Sequence, residues 1–223
     1  MRKDFGSKPW LFPQPVLIIG TYDKDGNPNA MNAAWGGEYD FDKIIISLSK
    51  HKTTENLKIH NAFTVAFATK STVIPSDFVG IVSQNNDPDK MVKAGFTATK
   101  SNKVDAPIFE EFPLVMECIV DKYDEEEGIL IGEIINVNVD EKFIKDGKVD
   151  TKALEIIVYD PINIRVWNIS QSTKLRKCHS LITSVWEYSR HTRCIFISRS
   201  TIIFFEVHNG PSHITTGKCI EVC

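Results

Sequence analysis

Ser47-Leu48-Ser49-Lys50-His51-Lys52-Thr53-Thr54-Glu55-Asn56 decides how this chain is read, because it joins two kinds of structure. Before it runs Lys43 to Leu48 (Lys-Ile-Ile-Ile-Ser-Leu), too short and too β-branched for a helix and therefore a strand. After it, Thr53 to Ile59 has the look of a short helix with a hydroxyl residue at its start. A strand-to-helix junction offers free backbone N–H groups and the positive end of the helix dipole, which together favour an anion. Lys52 adds a charge, and the Ser49 and Thr53 hydroxyls add donors. On the residues alone the plainer account stands ahead: Thr53 or Thr54 caps the helix and Lys52 is solvated.

Outward from this junction the chain reads as short strands joined by turns. Pro15 to Thr21 is apolar and β-branched, and it ends in Asp25-Gly26-Asn27-Pro28, a hairpin signal. The return strand is expected over Asn29 to Trp35. Ala62 to Thr69 is another strand, and Leu114 to Tyr123 with Gly128 to Val139 form a long hairpin around Asp124-Glu125-Glu126-Glu127. Short helices are expected over Asp77 to Val82 and Asp87 to Ala94, and a last strand over Glu155 to Tyr159. The expected class is mainly β with short helices, closed or nearly closed into a barrel. No GxGxxG or GxxxxGK[ST] occurs, so neither common nucleotide loop is expected.

The 223 residues carry a formal net charge of −3, which makes no case for nucleic acid. No apolar run approaches the roughly 20 residues of a membrane span, and the first residues lack a signal-peptide core, so a cytoplasmic protein without a membrane role is expected. The five cysteines include no CxxC pair; free thiols are expected, and no metal site.

Composition changes near residue 165. Up to Ile164 the only arginine is Arg2, whereas Arg165, Arg176, Arg190, Arg193 and Arg199 follow. Residues 170–223 hold seven Lys or Arg against three Asp or Glu, with four of the five cysteines and four of the six histidines. The expected organisation is one domain over 1–163 and an atypical segment over 164–223, an appendage or an out-of-frame terminus. Cys194 to Val207 still favours β-structure.

Pro15-Val16-Leu17-Ile18, Asn29 to Trp35, Ile46 to Asn56, Phe63 to Phe67, Asp77 to Ser83, Asp89-Lys90-Met91, Gly132-Glu133-Ile134 and Tyr159 to Asn163 follow one another along the chain. In that order they resemble the flavin reductase-like, FMN-binding split-barrel family and its flavoredoxin branch. The resemblance covers about 1–163 and implies an FMN-binding split β-barrel of Greek-key type. It turns the 47–56 junction into a phosphate clamp of Ser49, His51, Lys52 and Thr53. It lays Met31, Asn32, Ala33, Ala34 and Trp35 along the isoalloxazine ring. There the small Ala33 and Ala34 admit the ring, and Asn32 and backbone N–H groups reach its polar edge. Core packing accounts for Trp35 equally well. Ser47 and Leu48 are implied ring or ribityl contacts; Asn56 and Ser83 are weaker candidates, with helix-surface or capping roles as alternatives. His51 is implied as a neighbour of the phosphate; no residue is assigned as catalytic, because the cofactor carries the redox chemistry.

The family implies a homodimer, NAD(P)H as a co-substrate, and free flavin, ferric iron or a redox partner protein as acceptor. Two departures stand out. Glu127 or Gly128 occupies the turn where related reductases have a histidine near the nicotinamide, and a carboxylate is a poor neighbour for an anionic dinucleotide. The sequence from Ile164 onward does not match the family's ending. A non-catalytic flavin-binding module on the same barrel is the alternative function.

Overall fold

The computed structural model describes residues 1–169 and two short strands further on, Thr192–Cys194 and Phe204–Glu206. The chain divides into two units, Met1–Thr173 and Lys174–Cys223.

In the first unit the strands are β1 (Gln14–Pro15), β2 (Leu17–Tyr22), β3 (Pro28–Ala33), β4 (Gly36–Asp40), β5 (Lys43–Ser47), β6 (Ala62–Phe67), β7 (Ala98–Lys100) and β8 (Pro107–Phe109). They continue with β9 (Leu114–Asp124), β10 (Ile129–Val139), β11 (Ile144–Lys145), β12 (Lys148–Val149), β13 (Ile157–Asp160) and β14 (Arg165–Asn168). The helices are α1 (Lys52–His60), α2 (Val73–Ile81) and α3 (Lys90–Ala94).

Seven strands form one antiparallel sheet in the order β3-β2-β6-β9-β10-β5-β4. The two edge strands are consecutive in sequence. Ala33 still pairs with Leu17 of β2, and Gly36 already pairs with Ile46 of β5. Only Ala34 and Trp35 separate the two pairings, so the sheet has to curl until its edges meet. Gly36 makes this closure feasible. A Cβ there would lie 2.8 Å from Leu17 Cδ1 and 3.2 Å from the Ile45 carbonyl. The split barrel expected from the sequence is the observed architecture.

Both faces of the sheet are covered, and the alternation along β2 shows it. Leu17 and Ile19 enter the barrel interior with Ile46, Leu57, Phe63, Val65 and Leu130. Ile18 faces the opposite way, into a second core with Val79 of α2, Met91 of α3, Phe96 and Phe109. Period-two alternation with both faces apolar produces the unbroken apolar run seen in the sequence.

Several elements differ from expectation. Helix α2 starts at Val73, four residues early, with Pro75 in its first turn, where a missing N–H costs nothing. Asp87-Pro88 precedes rather than opens α3, and a Lys93–Asp87 ion pair of 2.7 Å joins the two segments. Strand β4 was not foreseen, since Gly-Gly-Glu-Tyr-Asp lacks apolar alternation and is mostly exposed. Beyond the barrel, β13 pairs with β1 and β14, and Trp167 Nε1 donates to Asp160 at 3.2 Å. The two short strands of the second unit pair with each other, and both lie in or beside the stretch expected to favour β-structure.

Candidate functional site

Helix α1 is fastened to the β2–β3 hairpin along one face. Thr53 Oγ1 accepts from Asn29 Nδ2 at 2.8 Å, Asn56 Nδ2 donates to Thr21 Oγ1 at 3.0 Å, and His60 Nε2 lies 2.8 Å from the Asp23 carbonyl. Steps of three and four residues put these side chains on one helix face. Thr21, Asn29, Thr53 and Asn56 are all essentially buried. At the helix start, Thr54 Oγ1 accepts from the His51 N–H at 3.0 Å and donates to the His51 carbonyl at 2.7 Å.

Under this helix start sits a lysine. Lys90 is 3% exposed, and its Nζ donates to the Ala30 carbonyl at 2.6 Å and to Asn29 Oδ1 at 3.4 Å. Both partners are neutral. Burial pushes its ammonium down to about 8. Burial, and then the Lys90 charge, hold His51 below the ordinary imidazole range. The His51 side chain is half-buried at the N-cap of the helix. A buried cation that faces only neutral acceptors among the described residues, beside a helix N-terminus, is a site short of an anion.

The remaining candidates fall into two groups. Met31, Ala33 and Ala34 lie half-buried at the barrel closure, and Trp35, 58% exposed, follows them. The Trp35 carbonyl accepts from Ser47 N–H at 2.8 Å, and Leu48 N–H donates to the Gly128 carbonyl at 2.7 Å. These bonds bring 31–35, 47–53 and the β9–β10 turn into one neighbourhood. Ser47 and Ser49 are exposed there, Lys52 is half-buried, and Leu48 is buried.

The second group turns inward. Asn32 Nδ2 donates to the Ser76 carbonyl of α2 at 3.0 Å and lies against Gly80, where a Cβ would collide with its amide. Asn56 is wholly buried, with its Oδ1 unpaired, rather than on the helix surface. Ser83 closes a turn, its hydroxyl accepting from Asn85 N–H at 3.3 Å.

The acidic turn lies against the same junction. Gly128 has φ +66, and a Cβ on it would lie 2.5 Å from the Leu48 carbonyl. Glu125 pairs with Lys58 at 2.6 Å and Lys50 at 3.7 Å. Lys58, then Lys50, hold its carboxyl below the usual range. Asp124 accepts from the N–H groups of Glu126 and Glu127, leaving those two side chains exposed.

The flavin reductase like domain family matches residues 10–155. The flavoredoxin of Desulfovibrio vulgaris (Miyazaki F) is 32% identical, with a TM-score of 0.75 over 81% of this chain and 98% of its own. The chain belongs to the flavin reductase-like family.

Two more distant structures share the fold. Flavoredoxin from Methanosarcina acetivorans is 22% identical, with a TM-score of 0.71 over 80% of this chain and 97% of that one. Nitrilotriacetate monooxygenase component B from Bacillus cereus is 18% identical, with a TM-score of 0.64 over 74% of this chain and 89% of that one. This flavin reductase-like chain also has an open cleft of about 530 Å³ between β7–β8 and β9–β10, lined in part by Lys100, Glu117 and Asn136. The cleft shares no residue with the candidate set.

Sequence reading did not single out Lys90, although Asp89-Lys90-Met91 was among the resembling stretches. A lysine in a short amphipathic segment looks solvated; only the fold buries it under Asn29 and Ala30. Cys118 is buried, and burial pushes its thiol up to about 12, so it is inert. The other cysteines, and the histidines beyond His60, fall outside the residues whose side chains are described. Among the described residues no helix is long and apolar enough to cross a membrane.

Proposed function

We propose that the chain binds FMN with its phosphate at the start of α1 and works as a flavoredoxin-like electron-transfer oxidoreductase. Lys90 carries this reading. Its buried ammonium, with neutral partners only, fits a phosphate dianion. His51, Lys52, Ser49 and Thr53 surround the same helix start, and the residues present therefore fit the cofactor. Met31 to Trp35, with Ser47 and Leu48, are assigned to the isoalloxazine and ribityl parts. Asn32 serves there chiefly through its backbone, since its side chain is committed to Ser76. Asn56 and Ser83 support the site from behind.

Bound FMN supplies the one- and two-electron chemistry. The chain's own residues bind and orient it: α1 and Lys90 neutralise the phosphate, and the tight Gly36 closure holds 31–35 against β5. A preparation that is yellow and releases about one FMN per chain on denaturation is the expected result. A colourless chain that takes up no added FMN overturns the reading.

Between carrier and NAD(P)H-dependent reductase, the acidic turn favours the carrier. Glu126 and Glu127 stand exposed beside the Leu48–Gly128 contact, where an anionic dinucleotide would have to approach. A purified protein that consumes neither NADH nor NADPH, yet exchanges electrons with a redox protein, is expected. Brisk consumption of either supports the reductase, with free flavin or ferric iron as acceptor. A flavin that binds but couples to no donor or acceptor leaves the non-catalytic module.

The working form is proposed as a cytoplasmic homodimer, with FMN near the subunit boundary. Exposed Trp35, Tyr39 and Phe41 around β4 offer it apolar surface; gel filtration reads the outcome. Residues 164–223 are proposed as an appendage or an out-of-frame terminus, on their loss of Asp and gain of Arg, His and Cys. Resequencing that returns this terminus in frame rules out the second.

A further inference from the structure

We propose that His60, as an imidazolium, is a pH-gated clamp that fastens the end of α1 to the β2–β3 turn and to the β7–β8 loop together. Its two ring nitrogens face acceptors only. Nε2 lies 2.8 Å from the Asp23 carbonyl, and Nδ1 lies 2.9 Å from Asp105 Oδ2. A neutral imidazole has one N–H and one lone pair. Either neutral tautomer therefore points a lone pair at an oxygen, and only the doubly protonated ring satisfies both contacts.

The surroundings act in the same sense. The Asp23 carbonyl bond first, and then the Asp105 carboxylate, raise His60 above its ordinary value, against the opposing effect of burial. Asp105 faces the ring from the β7–β8 loop and is also 3.2 Å from Lys100 of β7. Tyr22 of β2 meets the ring edge-on at 6.4 Å. The Asp23 carboxylate is turned away into its own hairpin, accepting from the Asp25 and Asn27 N–H groups at 2.9 Å, and Lys52 is the cation that acts on it.

Two of the three bonds between α1 and the hairpin, at Thr53 and Asn56, do not titrate in the working range; the third does. With the folded value raised, the clamp is fully formed below about pH 6.5, the ordinary histidine value. It is lost as pH rises through the folded value. One contact must then open, and the β2–β3 turn or the 101–106 loop loses its hold on α1. That this loosens the anion site at the other end of the helix rests on the FMN reading; the clamp itself does not.

Long-range proton–nitrogen NMR of the intact chain, flavin present or not, tests it. His60→Gln assigns the resonances. The expected ring is doubly protonated at pH 6.5, with a titration midpoint above that value, and Asp105→Asn lowers the midpoint by at least half a unit. Amides of Asp23 and Asn27, corrected for intrinsic exchange, should exchange at least threefold faster above the midpoint than below it. A ring that is neutral and single-tautomer at pH 6.5, or a midpoint indifferent to Asp105→Asn, overturns the clamp. Neither readout depends on whether FMN binds.

Discussion

Lys90 Nζ lies 2.6 Å from the Ala30 carbonyl, on a side chain only 3% exposed, with no carboxylate among its hydrogen-bond partners in the described residues. Ala30 belongs to the strand that runs on through 31–35, and Asn29 beside it also bonds Thr53 at the start of α1. One buried ammonium thus ties the third strand to the helix start from which an anion would be held. An isolated buried charge costs stability unless something pairs with it. On the proposed reading, the FMN phosphate is the counter-ion.

Replacing Lys90 by Met keeps most of the side-chain volume and removes the charge. Charge-assisted hydrogen bonds contribute about 1.5–3 kcal/mol each, so FMN affinity should fall about 10- to 100-fold. The flavin-free protein should change little in stability, because relief of an uncompensated buried charge offsets the hydrogen bonds lost at Ala30 and Asn29. Fluorescence titration of FMN and urea unfolding of the apo form measure the two effects. A large loss of apo stability with unchanged FMN affinity would make Lys90 purely structural.

The same group gives opposite pH slopes for stability and binding. Its folded value, about 8, lies below the ordinary lysine value of about 10.4. Between these values the unfolded chain holds the extra proton, so apo stability gains from this group as pH rises from about 8 to 10.4. FMN needs the charged form, so its affinity falls over the same window, by up to about tenfold per pH unit. Urea midpoints and FMN dissociation constants at pH 7, 8, 9 and 10 test both slopes. In Lys90→Met both components should vanish.

Much of this architecture was legible in the residues. Leu17-Ile18-Ile19 announces a strand because both faces of the sheet are buried, and Asp25-Gly26 announces the hairpin because its turn chemistry is local. Strand β4 was not legible, since Gly-Gly-Glu-Tyr-Asp pairs with β5 through backbone bonds that leave no periodic trace. The helix start at 51–54 could be read from its own residues. Lys90 could not, because its burial depends on a strand about 60 residues earlier in the chain. Asn32 and Asn56 are a like case: their side chains bond Ser76 and Thr21 inside the fold, and no local pattern announces those distant partners.

The barrel closure should be intolerant at Gly36. A methyl group there meets Leu17 Cδ1 at 2.8 Å and the Ile45 carbonyl at 3.2 Å, and the carbonyl cannot rotate away. Gly36→Ala should cost about 1–3 kcal/mol, as overpacking does, and Gly36→Val more. Urea unfolding reads the cost. Because Gly36 follows Trp35 directly, FMN affinity should fall with it, whereas Gly37→Ala, which meets no atom within 4 Å, should change neither.

The acidic turn offers the sharpest separation of carrier from reductase. Glu125 is neutralised by Lys58 and Lys50, so Glu126 and Glu127 hold the turn's unpaired charge. Changing both to Gln leaves intact the Asp124 carboxylate that caps their N–H groups, and the turn should keep its shape. Relieving like-charge repulsion should raise the rate of flavin reduction by NADH or NADPH severalfold at low salt, with the gain shrinking as ionic strength screens it. A basic redox protein should react more slowly with the same variant. Stopped-flow reduction at two salt concentrations measures both. If the double variant gains nothing with either dinucleotide and loses nothing with the basic protein, the turn does not select the electron-transfer partner.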